Sequence, residues 1–325
     1  MGELRIGTSG WSYPTGKGTW NGIFYPPSRG RKSSVPGFDE LTYYAEHFNT
    51  VEVNSSFYGP PKPDVSRAWA ARTPQGFEFS LKLYQKFTHP SMYKAKHLGD
   101  LPATPEELDA LARVNQADVD QFKASIDPLA STGKLGALLA QFPPSFKDSP
   151  AARAYLEWLL RTFKTYPVAV ELRHSSWSDH IGETLGLLDA FGAAWTQIDE
   201  PKFRFSIRQN WLPNVTSFYY MRLHGRNAAQ WWTHGATEDR YNYLYSTEEL
   251  EPFAETAVSA RALVKKVYLY LNNHFAAKSV ANAVAVKHLV EDAITGDYPP
   301  ELVERYPFLE KLVVTAPVKA SHTAS

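Results

Sequence analysis

Strand-like and helix-like segments alternate eight times along the chain, which predicts an α/β fold, a single (β/α)8 TIM-type barrel with long loops at its C-terminal face. Two further observations support this. The strand segments carry apolar residues on one parity and polar residues on the other, as barrel strands do when one face meets helices and the other a lumen. The polar members also gather towards the strand ends, where barrel enzymes keep their sites. An open doubly wound sheet is the alternative arrangement of the same pattern.

In chain order, strand patterns run over residues 4–9, 51–57, 77–83, 135–142, 168–174, 195–199, 218–224 and 267–274, each bounded by turn residues. Helical patterns occupy 38–47, 64–72, 118–130, 151–163, 183–191, 248–264 and 279–292. Three stretches exceed a minimal barrel. Residues 13–37 are rich in Gly, Pro, Ser and aromatics, 89–115 lengthen the third strand–helix connection, and 200–217 carry no helical pattern. Long connections in a compact domain commonly serve as lids or binding loops. The barrel domain is expected over 1–306, with a frayed tail over 307–325.

Composition narrows the function. Of 325 residues, 43% are hydrophobic, and 34 basic residues balance 34 acidic ones, so the chain can bury a large core and no polybasic charge drives nucleic-acid binding. There is no cysteine, which removes thiolate metal sites, disulfides and cysteine nucleophiles together. Neither a signal-peptide pattern nor an apolar run of membrane-spanning length occurs, so the expected location is cytoplasmic. Aromatics reach 14% of the chain, many in loops, which suggests an aromatic-lined pocket.

The alternation selects the site. Val51 and Val53 alternate with Glu52, Asn54 and Ser56; Phe79 and Leu81 with Glu78, Ser80 and Lys82; Val170 and Leu172 with Glu171 and Arg173. Met221 and Leu223 alternate with Tyr220, Arg222 and His224, and Leu269 and Leu271 with Tyr270, Asn272 and His274. Adding Asp199 at the end of its strand, the candidate catalytic residues are Glu52, Glu171, Asp199, His224 and His274. The candidate substrate-binding residues are Trp11, Asn54, Lys82, Arg173, Arg222 and Asn272. Gly10 is expected to make a tight turn that sets Trp11 over the pocket. An internal ion network without ligand is the competing account, but buried charges cost several kcal/mol each unless well paired, so a charged lumen suggests a ligand.

These residues fall in stretches that resemble the DUF72, or YecE-like, family from about Leu4 to Ile294. The matching stretches include Gly7-Thr8-Ser9-Gly10-Trp11, Val51-Glu52-Val53-Asn54-Ser55-Ser56-Phe57-Tyr58, Phe79-Ser80-Leu81-Lys82 with Thr88-His89, and Gln141-Phe142-Pro143-Pro144. Val170-Glu171-Leu172-Arg173-His174, Arg222-Leu223-His224-Gly225-Arg226-Asn227 and Asn272-Asn273-His274 follow. The resemblance implies a TIM-type barrel and brings no reaction with it. Ser56 stands where Thr is common, and the 96–114 segment is long for the family.

Several chemistries fit the candidate set. Acid–base or hydrolytic work on a small anionic, sugar-like molecule uses Arg173 and Arg222 as clamps, Lys82 as a point charge and a histidine with Glu52 or Glu171 for protons. No cofactor is predicted. A divalent metal on Glu52, Glu171, Asp199, His224 and His274 is a second possibility, opposed by three cations in the same lumen. A neutral-glycan hydrolase fits less well, because neighbouring arginines depress a general acid. A nucleic-acid-binding or endonuclease IV-like phosphodiesterase would use the aromatic and basic residues of 11–31 and 222–240, among them Trp231, Trp232 and His234. A noncatalytic small-ligand binder is the remaining class. Gly7-Thr8-Ser9-Gly10 is neither a dinucleotide fingerprint nor a P-loop. The oligomeric state is open.

Overall fold

The computed structural model describes residues 1–29, 32–230 and 239–318. Eight parallel strands close into a barrel in which each pairs with its neighbours in sequence and the first pairs with the last, so the open-sheet alternative falls. They are β1 (Glu3–Ser9), β2 (Thr50–Val53), β3 (Glu78–Lys82), β4 (Leu135–Gln141), β5 (Val168–Glu171), β6 (Ala194–Asp199), β7 (Phe218–Leu223) and β8 (Lys266–Leu271).

The helices form where local chemistry starts them. Asp39 accepts the Thr42 amide to open α1 (Glu40–His47), and Pro63 stands in the first turn of α2 (Pro63–Ala71). Reciprocal capping boxes, Asn115 with Asp118 and Ser246 with Glu249, open α3 (Gln116–Ser131) and α6 (Thr247–Arg261). Ser149 caps α4 (Pro150–Thr162); α5 (Ile181–Asp189) and α7 (Lys278–Leu289) complete the ring. No helix lies between β6 and β7.

The two strand parities separate physically. Val51, Phe79, Val170, Met221 and Leu269 face outward into the large core shared with the helices. Ala137, Leu139, Ala169, Ala194, Phe218, Tyr220, Tyr268 and Tyr270 form a second apolar cluster inside the barrel. The lumen is therefore packed in its middle and charged at its ends.

The long connections are ordered where described. Residues 89–115 fold into helices Pro90–His97 and Pro105–Ala112, joined by a Lys94–Asp109 contact of 2.7 Å. The tail does not fray at 307: Leu309 is buried, and Val314–Thr315 pairs in parallel with Asp297–Tyr298, an apolar anchor and a two-residue ladder that hold it. Among the described residues no helix is long and apolar enough to cross a membrane.

Candidate functional site

At the C-terminal end of the lumen, charged side chains from three strand ends and the loop after β6 form one chain of ion pairs. Strand pairing sets Glu52 beside Ser9 and Ser80, and the Ser9 hydroxyl donates to Glu52 Oε1 at 2.8 Å. The Tyr220 hydroxyl donates to Glu52 Oε2 at 2.8 Å. Arg222 then spans the lumen: its Nε and Nη2 reach the two Glu52 oxygens at 2.9 and 2.6 Å, and its Nη1 reaches Glu171 Oε2 at 2.5 Å. Arg173 takes the other Glu171 oxygen through Nε at 2.8 Å and Nη2 at 2.6 Å, and its Nη1 lies 3.1 Å from Glu200. The sequence of charges is Glu52, Arg222, Glu171, Arg173, Glu200.

Below this chain the lumen is closed by the rings of Tyr220 and Tyr270, whose centroids are 5.3 Å apart, and the Tyr270 hydroxyl bonds Thr50 and Ser80 at 2.6 and 2.9 Å. Arg222 is 1% exposed, so the clamp expected to hold a substrate anion is spent on two protein carboxylates. It positions Glu52 and Glu171. Arg173 is partly exposed, with its Nη2 also facing His224 at 3.3 Å.

His224 belongs to the same network. The Asn54 amide donates to Asn272 at 3.4 Å, and the Asn272 amide lies 2.8 Å from His224 Nδ1. The other ring nitrogen faces Glu171 at 3.6 Å and Arg173 at 3.3 Å. Burial, reinforced by Arg222, pushes this imidazole down to about 3, so it is neutral. Burial opposes ionisation of Glu171, but Arg222 and Arg173 overcome it and hold the carboxyl well below the usual range. Glu200 differs: burial wins over Arg173 and raises its carboxyl.

Lys82 is the exception among the cations. Its ammonium sits 3.9 Å from the centroid of the Phe57 ring, and among the described residues no carboxylate lies within ion-pair distance of it. Burial, with Arg222 adding repulsion, lowers its amine to about 7. The backbone here is fixed, because the Ser56 hydroxyl donates to the Lys82 carbonyl at 2.7 Å. His89 packs perpendicular to Phe57 with ring centroids 4.9 Å apart and is likewise neutral, lowered to about 3 by burial and then by Lys82.

Three expected members lie elsewhere. Asp199 pairs in register with Leu223, and Ile198 with Arg222, so the Asp199 carboxylate faces away from the lumen. It accepts from the Tyr245 hydroxyl at 2.7 Å and from Arg226 at 2.8 and 3.1 Å. His274 stacks on Tyr13 with ring centroids 4.2 Å apart and leans on Tyr241 at 4.7 Å, outside the ion chain. Gly10 makes the expected turn at φ +95°, but it leads Trp11 outward, edge-to-face on Trp69 at 5.4 Å and Phe79 at 6.3 Å. Trp231, Trp232 and His234, together with Arg31, lie outside the described residues.

The divalent-metal possibility needs carboxylates that are free to turn inward together. Glu52 and Glu171 are already held by guanidinium groups, and Asp199 and His274 stand apart. Among the described residues no three histidine and carboxylate side chains converge as metal ligands do.

A family model described as a protein of unknown function, DUF72, matches residues 5–303. The chain belongs to the DUF72 family. This DUF72 protein is 28% identical over 310 residues to the UPF0759 protein YunF of Bacillus subtilis, covering 92% of this chain and 99% of that one. It is 30% identical over 140 residues to the UPF0759 protein YecE of Escherichia coli, covering 42% of this chain and 43% of that one. The crystal structure of a DUF72 family protein from Thermotoga maritima is similar with a TM-score of 0.70 at 32% identity, covering 89% of this chain and all of that one (100%). One from Enterococcus faecalis gives a TM-score of 0.70 at 22% identity, covering 90% and 99%, and shows the shared fold. None of these descriptions names a reaction.

Four residues at the DUF72 mouth were not among the candidates, although the strand parity put Tyr220 on the lumen side. Ser9 and Tyr220 share Glu52, Glu200 ends the charge chain, and His89 closes over Phe57. Glu200 was findable: it carries the same parity as Ala194 and Ile198, one residue past the end of β6.

Proposed function

We propose that this DUF72 protein is an enzyme that acts on a small anionic molecule, phosphorylated or carboxylated and sugar-like, by acid–base chemistry at the barrel mouth. The observation that carries the reading is Lys82, a mouth cation with no carboxylate among the described residues, beside two guanidinium groups that are each doubly paired. The partly exposed Arg173 guanidinium would receive the anion beside Lys82. An amine lowered to about 7 is matched to moving a proton near neutral pH.

The test is calorimetric titration of inorganic phosphate and oxalate into the full chain at pH 6.5. Saturable binding, weakened at least about tenfold in Lys82→Met with its melting curve intact, supports the reading. Equal affinity in both proteins, or no binding to either, overturns it.

A further inference from the structure

Among the described residues the mouth offers few nucleophiles. The chain has no cysteine, the Ser9 and Tyr220 hydroxyls are committed to Glu52, and the Ser56 hydroxyl is committed to backbone carbonyls. Both nitrogens of His224 face protein groups. What is left is the Lys82 nitrogen, covered on one side by the apolar face of Phe57, with Arg222 and Arg173 fixed nearby by their own carboxylates. A lysine desolvated beside other cations, without a counter-ion, is the arrangement that presents a neutral amine.

We propose that the Lys82 amine is a covalent nucleophile that forms an imine with the carbonyl carbon of a small anionic aldehyde or ketone, a 2-oxo acid or a carbonyl-bearing sugar phosphate. This rests on the anionic-substrate reading above and names the substrate class. The nitrogen lone pair forms the new C–N bond while the carbonyl π electrons move to oxygen. The nitrogen then gives up two protons, the oxygen departs with them as water, and the C=N bond is complete, with no oxidant or reductant involved. The anionic group rests meanwhile beside the partly exposed Arg173 guanidinium rather than on Lys82.

The experiment treats the full chain at pH 6.5 with glyoxylate, pyruvate or dihydroxyacetone phosphate and sodium cyanoborohydride, followed by proteolysis and mass spectrometry. At this pH an ordinary lysine is almost wholly protonated, so the reduced adduct is expected at Lys82 about 100-fold faster than at exposed Lys62. It should be absent at that site from Lys82→Met, whose melting curve checks the fold. Labelling of Lys82 no faster than of Lys62 with all three probes overturns the inference. If phosphate or oxalate binding still depends on Lys82 in that case, the acid–base reading stands without the covalent step. If that binding is also independent of Lys82, both fall.

Discussion

The two ends of the barrel lumen both carry buried charge, but they use it differently. At the N-terminal end Glu78 is ringed by Lys266 Nζ at 2.5 Å, the Tyr268 hydroxyl at 2.6 Å and Arg5 at 3.5 Å. One carboxylate meets two cations, and Lys266 and Arg5 keep partial contact with water. At the C-terminal end two arginines are shared among three carboxylates, and Lys82 takes none of them. The N-terminal cluster has the form of a plug that closes the packed lumen. The mouth has a rigid scaffold of ion pairs with a poorly compensated amine set beside it. Burying charge is costly unless it is paired, so an amine with no carboxylate partner among the described residues, next to a paired network, is the feature that stability does not explain.

The comparison breaks first at Arg222. Arg222→Met leaves Glu52 and Glu171 buried without their shared cation, and a stability loss of about 3–5 kcal/mol is expected from urea unfolding at pH 7. Part of that loss should be recovered on acidification, because the Glu171 carboxylate can then take up a proton that the guanidinium now keeps off. A loss below about 1 kcal/mol would mean that the scaffold is not held by these pairs. At the other end Glu78→Gln removes a carboxylate whose cationic partners can turn to water, so a smaller cost of about 1–3 kcal/mol is expected. Phosphate affinity measured by calorimetry should not change in this variant. If it does, the two ends are coupled and the plug is part of the site.

Legibility followed the backbone. Where a strand is straight and hydrogen-bonded, parity alone separates the lumen from the helix side, which is why Glu52, Glu171 and Arg222 were found from the sequence and meet in the structure. Parity also holds on β6, but there Ile198 takes the lumen side and Asp199 the outer one, so choosing by polarity rather than by count misplaced Asp199 and passed over Glu200. Beyond a strand the rule lapses. His274 lies three residues after Leu271 in a helical-region conformation, and the turn carries its ring to Tyr13. Trp11 follows the left-handed Gly10 and leaves the barrel axis altogether. The pairing of Arg222 with two carboxylates was legible as a list of charges but not as a geometry, since nothing in the sequence says which guanidinium is spent and which amine is left over.

The finest distinction between the two ends is the response of Lys82 to pH. Its amine titrates at about 7 in the folded protein and at about 10.5 when unfolded, so the unfolded chain holds the extra proton between those values. Wild-type stability from this group is therefore lowest below about pH 7 and rises as pH climbs towards 10.5. Lys82→Met removes the handicap. It should stabilise the protein by about 1 kcal/mol at pH 6, after allowing for partial solvent screening and the lost contact with Phe57, and by less at pH 9. Thermal melts of both proteins at the two pH values measure the difference. Lys266→Met at the other end, where the amine has its carboxylate, should destabilise instead. If Lys82→Met destabilises at both pH values, the amine has a partner that holds its charge, and the contrast between a closed plug and an open mouth is lost; if it stabilises more at pH 6 than at pH 9, the chain keeps at its mouth a group that costs it stability, as a working site does and a structural one does not.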